Sequence, residues 1–431
     1  MFGYNIVRGI QDSDADRADR QECVGGIMEE TMNKAPSEYF SKYDAEKCEV
    51  CGDCLVKCPV LKMNRKAAVK AMTDLRNGGG NDKVLRRCES CFGCNIVCPN
   101  GANPAQLFLE AFHKSHLESG FPAWSFYFQP HEENNFRNFI ISRLPSDEKA
   151  LLEKWKDMTP CEEFVYPGCN VCSTPYLTKA GFMEGLNIRG SVDLCCGEMY
   201  YRTGMHDKLR ETAAKLNGFL DNLGAKKMMI LCSAGYNMFS NVLPQFGLKT
   251  DVEFSSYINW LWERIESGDI RFKRKLEITA TIQESCYGKT FGEDYYEIPR
   301  KILRAAGAKI IEMPHSKECA YCCGIGGGFP PGSGFNPIDI TAASLRVVNE
   351  AVATGARAIV AYCSGCMQSM SAAMAVYPVK RPVYHLLQVV QYCAGEEPEL
   401  KLNAQRGAML VRGVLLNQSV HLLNPKRVKG S

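Results

Sequence analysis

Nowhere in this 431-residue chain does an apolar run approach the roughly 18 residues of a membrane-spanning helix. Residues 1–20 are polar and acid-rich, without the apolar stretch of a secretory signal. The net charge is only +3, too small to argue for nucleic acid or an anionic membrane surface as partner. The chain contains no G-x-S-x-G elbow, no H-E-x-x-H helix, no G-K-[ST] phosphate loop and no flavin fingerprint. Serine hydrolase, zinc protease and nucleotide hydrolase are therefore not its classes, and any flavin would sit on a partner. Disorder is excluded too, because 45% of the residues are hydrophobic. The length suffices for two or three domains.

What the chain does have is cysteine, 22 of them. Disulfide-dense proteins are usually short and secreted. Here the cysteines cluster at metal-ligand spacings in a long chain, so the expected setting is a reducing cytoplasm, that of an anaerobe. Two strings open the pattern: Cys48-Glu-Val-Cys51-Gly-Asp-Cys54-Leu-Val-Lys-Cys58-Pro59, and Cys88-Glu-Ser-Cys91-Phe-Gly-Cys94-Asn-Ile-Val-Cys98-Pro99. Each is C-x2-C-x2-C-x3-C-P, the run that holds [4Fe–4S] clusters in two-cluster ferredoxins, where the fourth cysteine ligates the other cluster. One cubane would take Cys48, Cys51, Cys54 and Cys98, and the other Cys88, Cys91, Cys94 and Cys58. Zinc, the rival for any cysteine quartet, does not call for the Pro after the fourth ligand. Residues 62–87 read as a helix interrupted at Asn77-Gly-Gly-Gly-Asn81.

Residues 103–116 have helical periodicity, and 120–139 are aromatic and Pro-bearing. The latter read as an interdomain connector, with a partner-docking patch as the alternative. A helix over 146–157 would be capped by Ser146. Beyond it the texture changes to short apolar strands at 163–166, 227–231, 276–283, 308–313 and 356–361. Helices at 206–223, 257–267, 296–306 and 341–354 alternate with them, which argues for α/β units around parallel sheet.

A cysteine pattern repeats across this region. Cys169 is followed by Cys195-Cys196-Gly197, a helix, and a strand running into Cys232. Cys286 is followed by Cys322-Cys323-Gly324, a helix, and a strand running into Cys363-Ser-Gly-Cys366. Two related halves facing each other would bring these strand ends together, where ligands bind in such sheets.

These halves resemble the cysteine-rich (CCG) domains of heterodisulfide reductase. With the ferredoxin-like strings ahead of them, the chain is similar to the D-type subunit, a fusion of C-type and B-type subunits, over roughly residues 48–393. The resemblance implies a mixed α+β and α/β fold: an N-terminal helical two-cluster ferredoxin-like domain, then two related α/β cysteine-rich halves. The divisions expected are 1–120 with an N-terminal extension, a connector at 121–160, a first half at 161–270, a second at 271–400 and a tail at 401–431. It implies a noncubane [4Fe–4S] cluster on Cys286, Cys322, Cys323, Cys363 and Cys366, with Cys322 and Cys323 at the catalytic centre, able to cleave a disulfide. The first half offers Cys169, Cys195, Cys196 and Cys232, but Gly235 stands where a fifth cysteine is expected. A further cluster there, with Cys172 stepping in, and a structural relic with free thiols both stay open.

The implied function is an iron–sulfur electron-transfer subunit of an oxidoreductase complex. Its partners would be a flavoprotein, a cytochrome b-type membrane subunit or a ferredoxin-like donor, and its substrate a small disulfide. A pure relay without substrate chemistry is the alternative. The location would be cytoplasmic, with any membrane association through a partner. Cys319 reads as a nearby thiol; Cys23, Cys161 and Cys393 as inert core residues. His315 is a candidate proton donor, against a plain turn histidine, and His385 reads as core within a helix. The tail over 406–429 reads as a strand pair or helix that docks a partner or covers the chain's own core.

Overall fold

The computed structural model describes residues 34–422 and 426–429; Cys23 and the extension before residue 34 lie outside them. The N-terminal region is helical. In each cysteine string a one-turn helix, Asp53–Val56 or Gly93–Ile96, carries the third cysteine. Each is preceded by a left-handed residue that turns the chain around the thiols, Gly52 at φ +79° in one and Phe92 at φ +62° in the other. Glycine adopts that conformation freely, whereas a phenylalanine there costs roughly 1–2 kcal/mol. Phe92 offsets it by burial, stacking on Tyr201 and Tyr287 at centroid distances of 5.8 and 5.6 Å. Between the strings lie helices Arg65–Arg76 and Asp82–Arg87, broken at the glycines as expected. The side chains of Asn64 and Asn81 cap them, accepting from Ala67 and Val84 N–H.

Helix Pro104–Ser119 leads into the connector. Its aromatics turn inward: Phe121 and Phe128 are buried, and Phe128 stacks on Phe335 at 4.9 Å. That burial removes the partner-docking reading of 120–139. Strand β1 (Phe121–Pro122) pairs antiparallel with a strand near the C-terminus, Arg427–Val428. Helix Ser146–Trp155 forms, but Ser146 is its first residue; Pro145 occupies the N-cap position and no side chain caps it. The reason is that Pro145 already supplies the extended turn (φ −64°, ψ 162°) from which the helix starts.

Two parallel sheets follow. β2 (Glu163–Tyr166), β3 (Lys227–Ile230) and β4 (Glu253–Ser256) form one in that order. β5 (Thr279–Gln283), β6 (Lys309–Ile310), β7 (Ala358–Ala361) and β8 (Val383–His385) form the other in the order β6-β5-β7-β8. The intervening helices include His206–Leu223, Tyr257–Glu266, Glu293–Ala305 and Pro337–Ala353. His385 is not inside a helix. It ends β8 and caps helix Leu386–Cys393, accepting from Leu387 N–H at 3.3 Å through Nδ1. The tail is helix Leu400–Leu422 followed by β9 (Arg427–Val428). The helix is clamped to the connector by a buried pair, Arg406 to Glu148 at 2.7 Å. It covers this chain's own core.

The parallel strands share one consequence. Cys169, Cys232, Cys286 and Cys363 follow β2, β3, β5 and β7 by two or three residues. Each thus sits just outside the carboxyl end of a parallel strand, the crevice where such sheets take ligands.

Candidate metal centre and adjoining cavity

The two cysteine strings interleave. One cavity is lined by Cys48, Cys51, Cys54 and Cys98, the set that crosses from string to string. A neighbouring cavity is lined by Cys58, Cys88, Cys91 and Cys94, with Cys54 in the wall between them. Backbone N–H groups of Leu61 and Ala102 point at the sulfurs of Cys58 and Cys98, at 3.4 and 3.3 Å. Burial and then the neighbouring thiols hold Cys54 well above the ordinary thiol range. Burial, followed by Cys91, pushes Cys58 up to about 12. Left to themselves such thiols stay protonated at neutral pH; a metal that displaces the protons reverses this. Donor type, number and enclosure therefore fit two clusters.

Five cysteines of the second half meet at the ends of β5 and β7. Contacts run Cys286–Cys322–Cys323–Cys366–Cys363, thiol to thiol. All five are buried. Cys322 is drawn well below the ordinary thiol range, first by hydrogen bonds from the thiols of Cys286 and Cys323 and then by the Arg202 charge and the Gly324 N–H. Gly326 N–H adds a donor at 3.3 Å. Gly324 makes this turn possible at φ +108°. Cys363 is lowered as well, by the Cys232 and Cys366 thiols and then by N–H groups of Cys366 and Gly365 at the start of helix Ser364–Val376.

The first-half cysteines divide. Cys169 and Cys195 lie 3.2 Å apart, sulfur to sulfur, and Cys195 also meets Cys196. Cys232 stays close enough to Cys169 and Cys196 for their charges to act on one another, and its thiol also contacts Cys363 of the other half. Cys172 is buried beside Cys169. A Cβ on Gly235 would sit 3.1 Å from Ile230 Cγ2, so the position expected for a fifth cysteine is crowded.

Cys322 connects the two regions. It lines a cavity together with Cys54, Cys58, Cys91 and Cys94, in which Cys319 and Lys289 also appear. On the other side of the Cys322–Cys323 step, Cys286, Cys323, Cys363 and Cys366 line a much larger cavity of about 420 Å³. Its walls are mainly apolar, from the connector, helix Leu400–Leu422 and the loop at Phe329.

Three buried cations at this site carry no sequence motif. Arg202 donates to Glu198 at 3.1 Å and to the Glu89 carbonyl at 2.6 Å, lies 3.8 Å from Cys322 Sγ, and stacks over Phe329 at 4.2 Å. Lys289 donates to the Ala320 carbonyl at 2.8 Å. Arg137 lines the large cavity. For Arg202 the available signal is the Glu198/Arg202 i, i+4 pair directly after Cys-Cys-Gly. His315, by contrast, lines none of these cavities; Glu350 holds its Nδ1 at 2.6 Å and its ring packs on Tyr321 at 4.2 Å. Cys393 is fully buried and Cys161 half-buried, both away from the sulfur-lined cavities.

Comparison with known proteins agrees with this layout. The 4Fe-4S dicluster domain matches residues 47–103, and the cysteine-rich (CCG) domain matches 280–371. The chain is 24% identical over 402 residues to the D-type subunit of the dihydromethanophenazine:CoB--CoM heterodisulfide reductase of Methanosarcina mazei, covering 82% of this chain and 95% of that protein. The protein of the same name from Methanosarcina barkeri is 25% identical over 309 residues, 66% of this chain and 71% of that one. The EtfAB:quinone oxidoreductase of Syntrophomonas wolfei is 30% identical over 202 residues, 44% of this chain. The match spans about a quarter, 26%, of that longer protein. Among the described residues no helix is long and apolar enough to cross a membrane.

Proposed function

We infer that this chain, an iron–sulfur protein like the D-type subunits of heterodisulfide reductase, is the electron-transfer subunit of a larger oxidoreductase complex. The observation that carries the reading is the unbroken succession of sulfur ligands. It starts at the paired cysteine strings, passes Cys322 and Cys323, and ends at the wall of a 420 Å³ cavity.

In this reading Cys48, Cys51, Cys54 and Cys98 hold one cubane, and Cys88, Cys91, Cys94 and Cys58 the other. Cys286, Cys322, Cys323, Cys363 and Cys366 hold a noncubane cluster. The sheets β2–β4 and β5–β8 are the two related cysteine-rich halves, over 161–270 and 271–400. When bound, the clusters supply closely spaced one-electron carriers and, at Cys322–Cys323, iron accessible to a substrate sulfur. The chain's own part is to exclude water from the thiolates and to set their electrostatics. Arg202 and the Gly324 and Gly326 N–H groups offset charge at Cys322. Lys289, its ammonium held by the Ala320 carbonyl, lines the same cavity as Cys58, Cys91 and Cys322. Breaking a disulfide there consumes two electrons and two protons and releases two thiols. The electrons would come from another component of the complex: a flavoprotein, a cytochrome b-type membrane subunit or a ferredoxin-like donor.

The second reading, a relay that ends elsewhere, is favoured by glycine at position 235, which leaves the first half without a thiol where the second half has Cys366. The cavity beside Cys323 favours terminal chemistry here.

Anaerobic purification with iron analysis and electron paramagnetic resonance tests the reading. Two cubane signals and one distinct noncubane signal are expected, and Cys323→Ser should remove only the last. A natively folded, assembly-competent protein without iron would refute the reading. Reduction of a small disulfide by an artificial donor at steady state would establish terminal chemistry. Reduction of the clusters without turnover would establish the relay.

A further inference from the structure

Another cavity, of about 470 Å³, lies at the far end of helix Ser364–Val376, roughly 12 Å along its axis from Cys366. No cysteine lines it. Its walls are the last two turns of that helix, the segment entering β8, and the first turns of helix Leu400–Leu422. Asn403 Nδ2 donates to the Val383 carbonyl at 2.7 Å and ties the tail helix to β8. Gly407 lets the two helices meet backbone to backbone, since a Cβ there would lie 2.4 Å from the Ser371 carbonyl carbon. The volume falls in the range of small-molecule sites, roughly 300–1,000 Å³.

Three cations line this cavity, Lys380, Arg381 and Lys401, and no carboxylate does. Among the described residues none of the three forms an ion pair. Glu399, two residues before Lys401, is exposed and outside the lining. Lys380 donates to the Met374 and Ala375 carbonyls at 2.6 and 2.8 Å. The end of a helix would by itself repel an anion, and this ammonium on its last carbonyls offsets that. Arg381 donates through Nε to the Ala356 carbonyl and through one terminal nitrogen to the Lys380 carbonyl, both at 3.0 Å. All these acceptors are neutral. They orient the guanidinium and leave its charge uncompensated.

A buried polar group points to the same space. Ser371 is 2% exposed and lines the cavity, and its hydroxyl has no hydrogen-bond partner among the described residues. Buried hydroxyls are normally satisfied, so the partner has to come from the cavity. Met374, Ala404, Ala408 and the half-buried ring of Tyr384 supply an apolar wall beside the charges.

We propose that this cavity binds a phosphate ester with a flat aromatic body. The phosphate lies between Arg381 and Lys401, the body lies along Tyr384 and Met374, and a ligand oxygen meets the Ser371 hydroxyl. A phosphate brings more charge and more acceptor oxygens than a single carboxylate, which suits three cations, and a guanidinium binds it through paired N–H groups. The site shares no residue with the sulfur-lined cavities, so it does not depend on the functional reading above.

Adenosine monophosphate, adenosine and inorganic phosphate are the probes, the whole ligand type and then each part alone. They are titrated calorimetrically into the anaerobic holoprotein at about 0.15 M salt, where exposed charges are screened beyond roughly 8 Å. Adenosine monophosphate is expected to bind at least about tenfold more tightly than either part, the worth of one charge-assisted hydrogen bond. Lys401→Gln, at an exposed side chain, should weaken it several-fold. Arg381→Gln combined with Lys401→Gln should reduce it to the level of adenosine and leave adenosine unchanged. Ala404→Trp, which fills the cavity from the exposed face of the tail helix, should weaken adenosine monophosphate and adenosine alike. Equal affinity for adenosine monophosphate and inorganic phosphate would show an unselective attraction to surface charge and overturn the proposal. Equal affinity for adenosine monophosphate and adenosine, binding that survives the double variant, or binding indifferent to Ala404→Trp would each overturn it too.

Discussion

Replacing Arg202 by Met keeps the length of the side chain and removes its charge at the point where the two cysteine regions join. Two consequences can be worked out separately. The first is stability. Glu198 loses its ion-pair partner at 3.1 Å and the Glu89 carbonyl loses its donor at 2.6 Å. Breaking a buried pair from one side costs about 3–5 kcal/mol. The Glu198 side chain keeps 16% of its surface exposed, which puts the cost at the lower end. The second consequence is the reduction potential of a cluster held by Cys286, Cys322 and Cys323. Arg202 lies 3.8 Å from Cys322 Sγ, so an electron added to iron beyond that sulfur would be on the order of 6 Å away, and at an effective dielectric near 20 the lost attraction is about 3 kcal/mol. At 59 mV for each tenfold change this is a fall of about 120 mV. Adding Glu198→Gln removes a compensating negative charge about 3 Å farther out, so the double variant should fall by only about 40 mV and recover most of the lost stability. Potentiometric titration followed by electron paramagnetic resonance reads the potential, and anaerobic denaturant unfolding reads the stability. A noncubane potential that moves by less than about 30 mV in the single variant, or that rises, would refute the reasoning, since the Coulomb attraction would then have the wrong neighbour or sign.

Gly326→Ala should uncouple the two cysteine regions, because a Cβ there would lie 2.8 Å from both Cys322 Sγ and the Glu89 carbonyl. A cost of about 1–3 kcal/mol is expected, with slower electron arrival at the second site in rapid-freeze measurements; unchanged kinetics would count against this contact as the junction. Cys232→Ser should alter the line shape of the second-site signal without loss of its iron, since Cys232 touches Cys363 from the opposite sheet. An unaltered signal would confine Cys232 to the first half. Acid should destabilise the fold through His131, His206 and His385, whose pKa values burial lowers to about 4. The unfolded chain binds these protons near pH 6.5 and the folded chain only near 4, so their contribution is complete above 6.5 and is lost as pH falls through that window. Three such groups give a slope of up to about 4 kcal/mol per pH unit. His385→Gln should cut that slope by about a third, and an unchanged slope in unfolding curves at pH 5 to 7 would show that His385 is not buried neutral.

Much of the scaffold is legible in the residues alone, for a physical reason. Cysteine spacing marks the thiols that the structure gathers around shared cavities, and short apolar runs alternating with helices dictate parallel strands. The four strands that lead into cysteines, β2, β3, β5 and β7, all fall within their predicted segments. β4 and β8 escape because neither has an apolar run: Glu253-Phe-Ser-Ser contains one hydrophobic residue and Val383-Tyr-His is three residues long. The cations escape for another reason. Arg137 and Arg202 look like ordinary surface arginines of short helices, and only tertiary packing turns them inward. An arginine set among Phe126, Phe128, Phe136 and Phe139 was the available hint, because a charge in so aromatic a stretch needs a partner or a purpose.

The asymmetry of the two sheets has a local cause with a wider effect. On the first sheet the one-turn helix Ser233–Asn237 after β3 brings Gly235 against Ile230, where a Cβ would sit 3.1 Å from the Cγ2 methyl. Cys232, just beyond the same strand, reaches Cys363 while remaining near Cys169 and Cys196. The two sheets therefore differ at their strand ends, and Cys232 brings a first-sheet sulfur into contact with Cys363 of the second. The first half also supplies, through Glu198 and Arg202, the ion pair that touches both Cys322 and the carbonyl beside Cys88. Arg202, donating to the Glu89 backbone with its charge beside Cys322, therefore ties the helix that follows Cys195-Cys196-Gly197 to both the cysteine strings and the Cys322–Cys323 turn, so a change at this one side chain is felt in all three places.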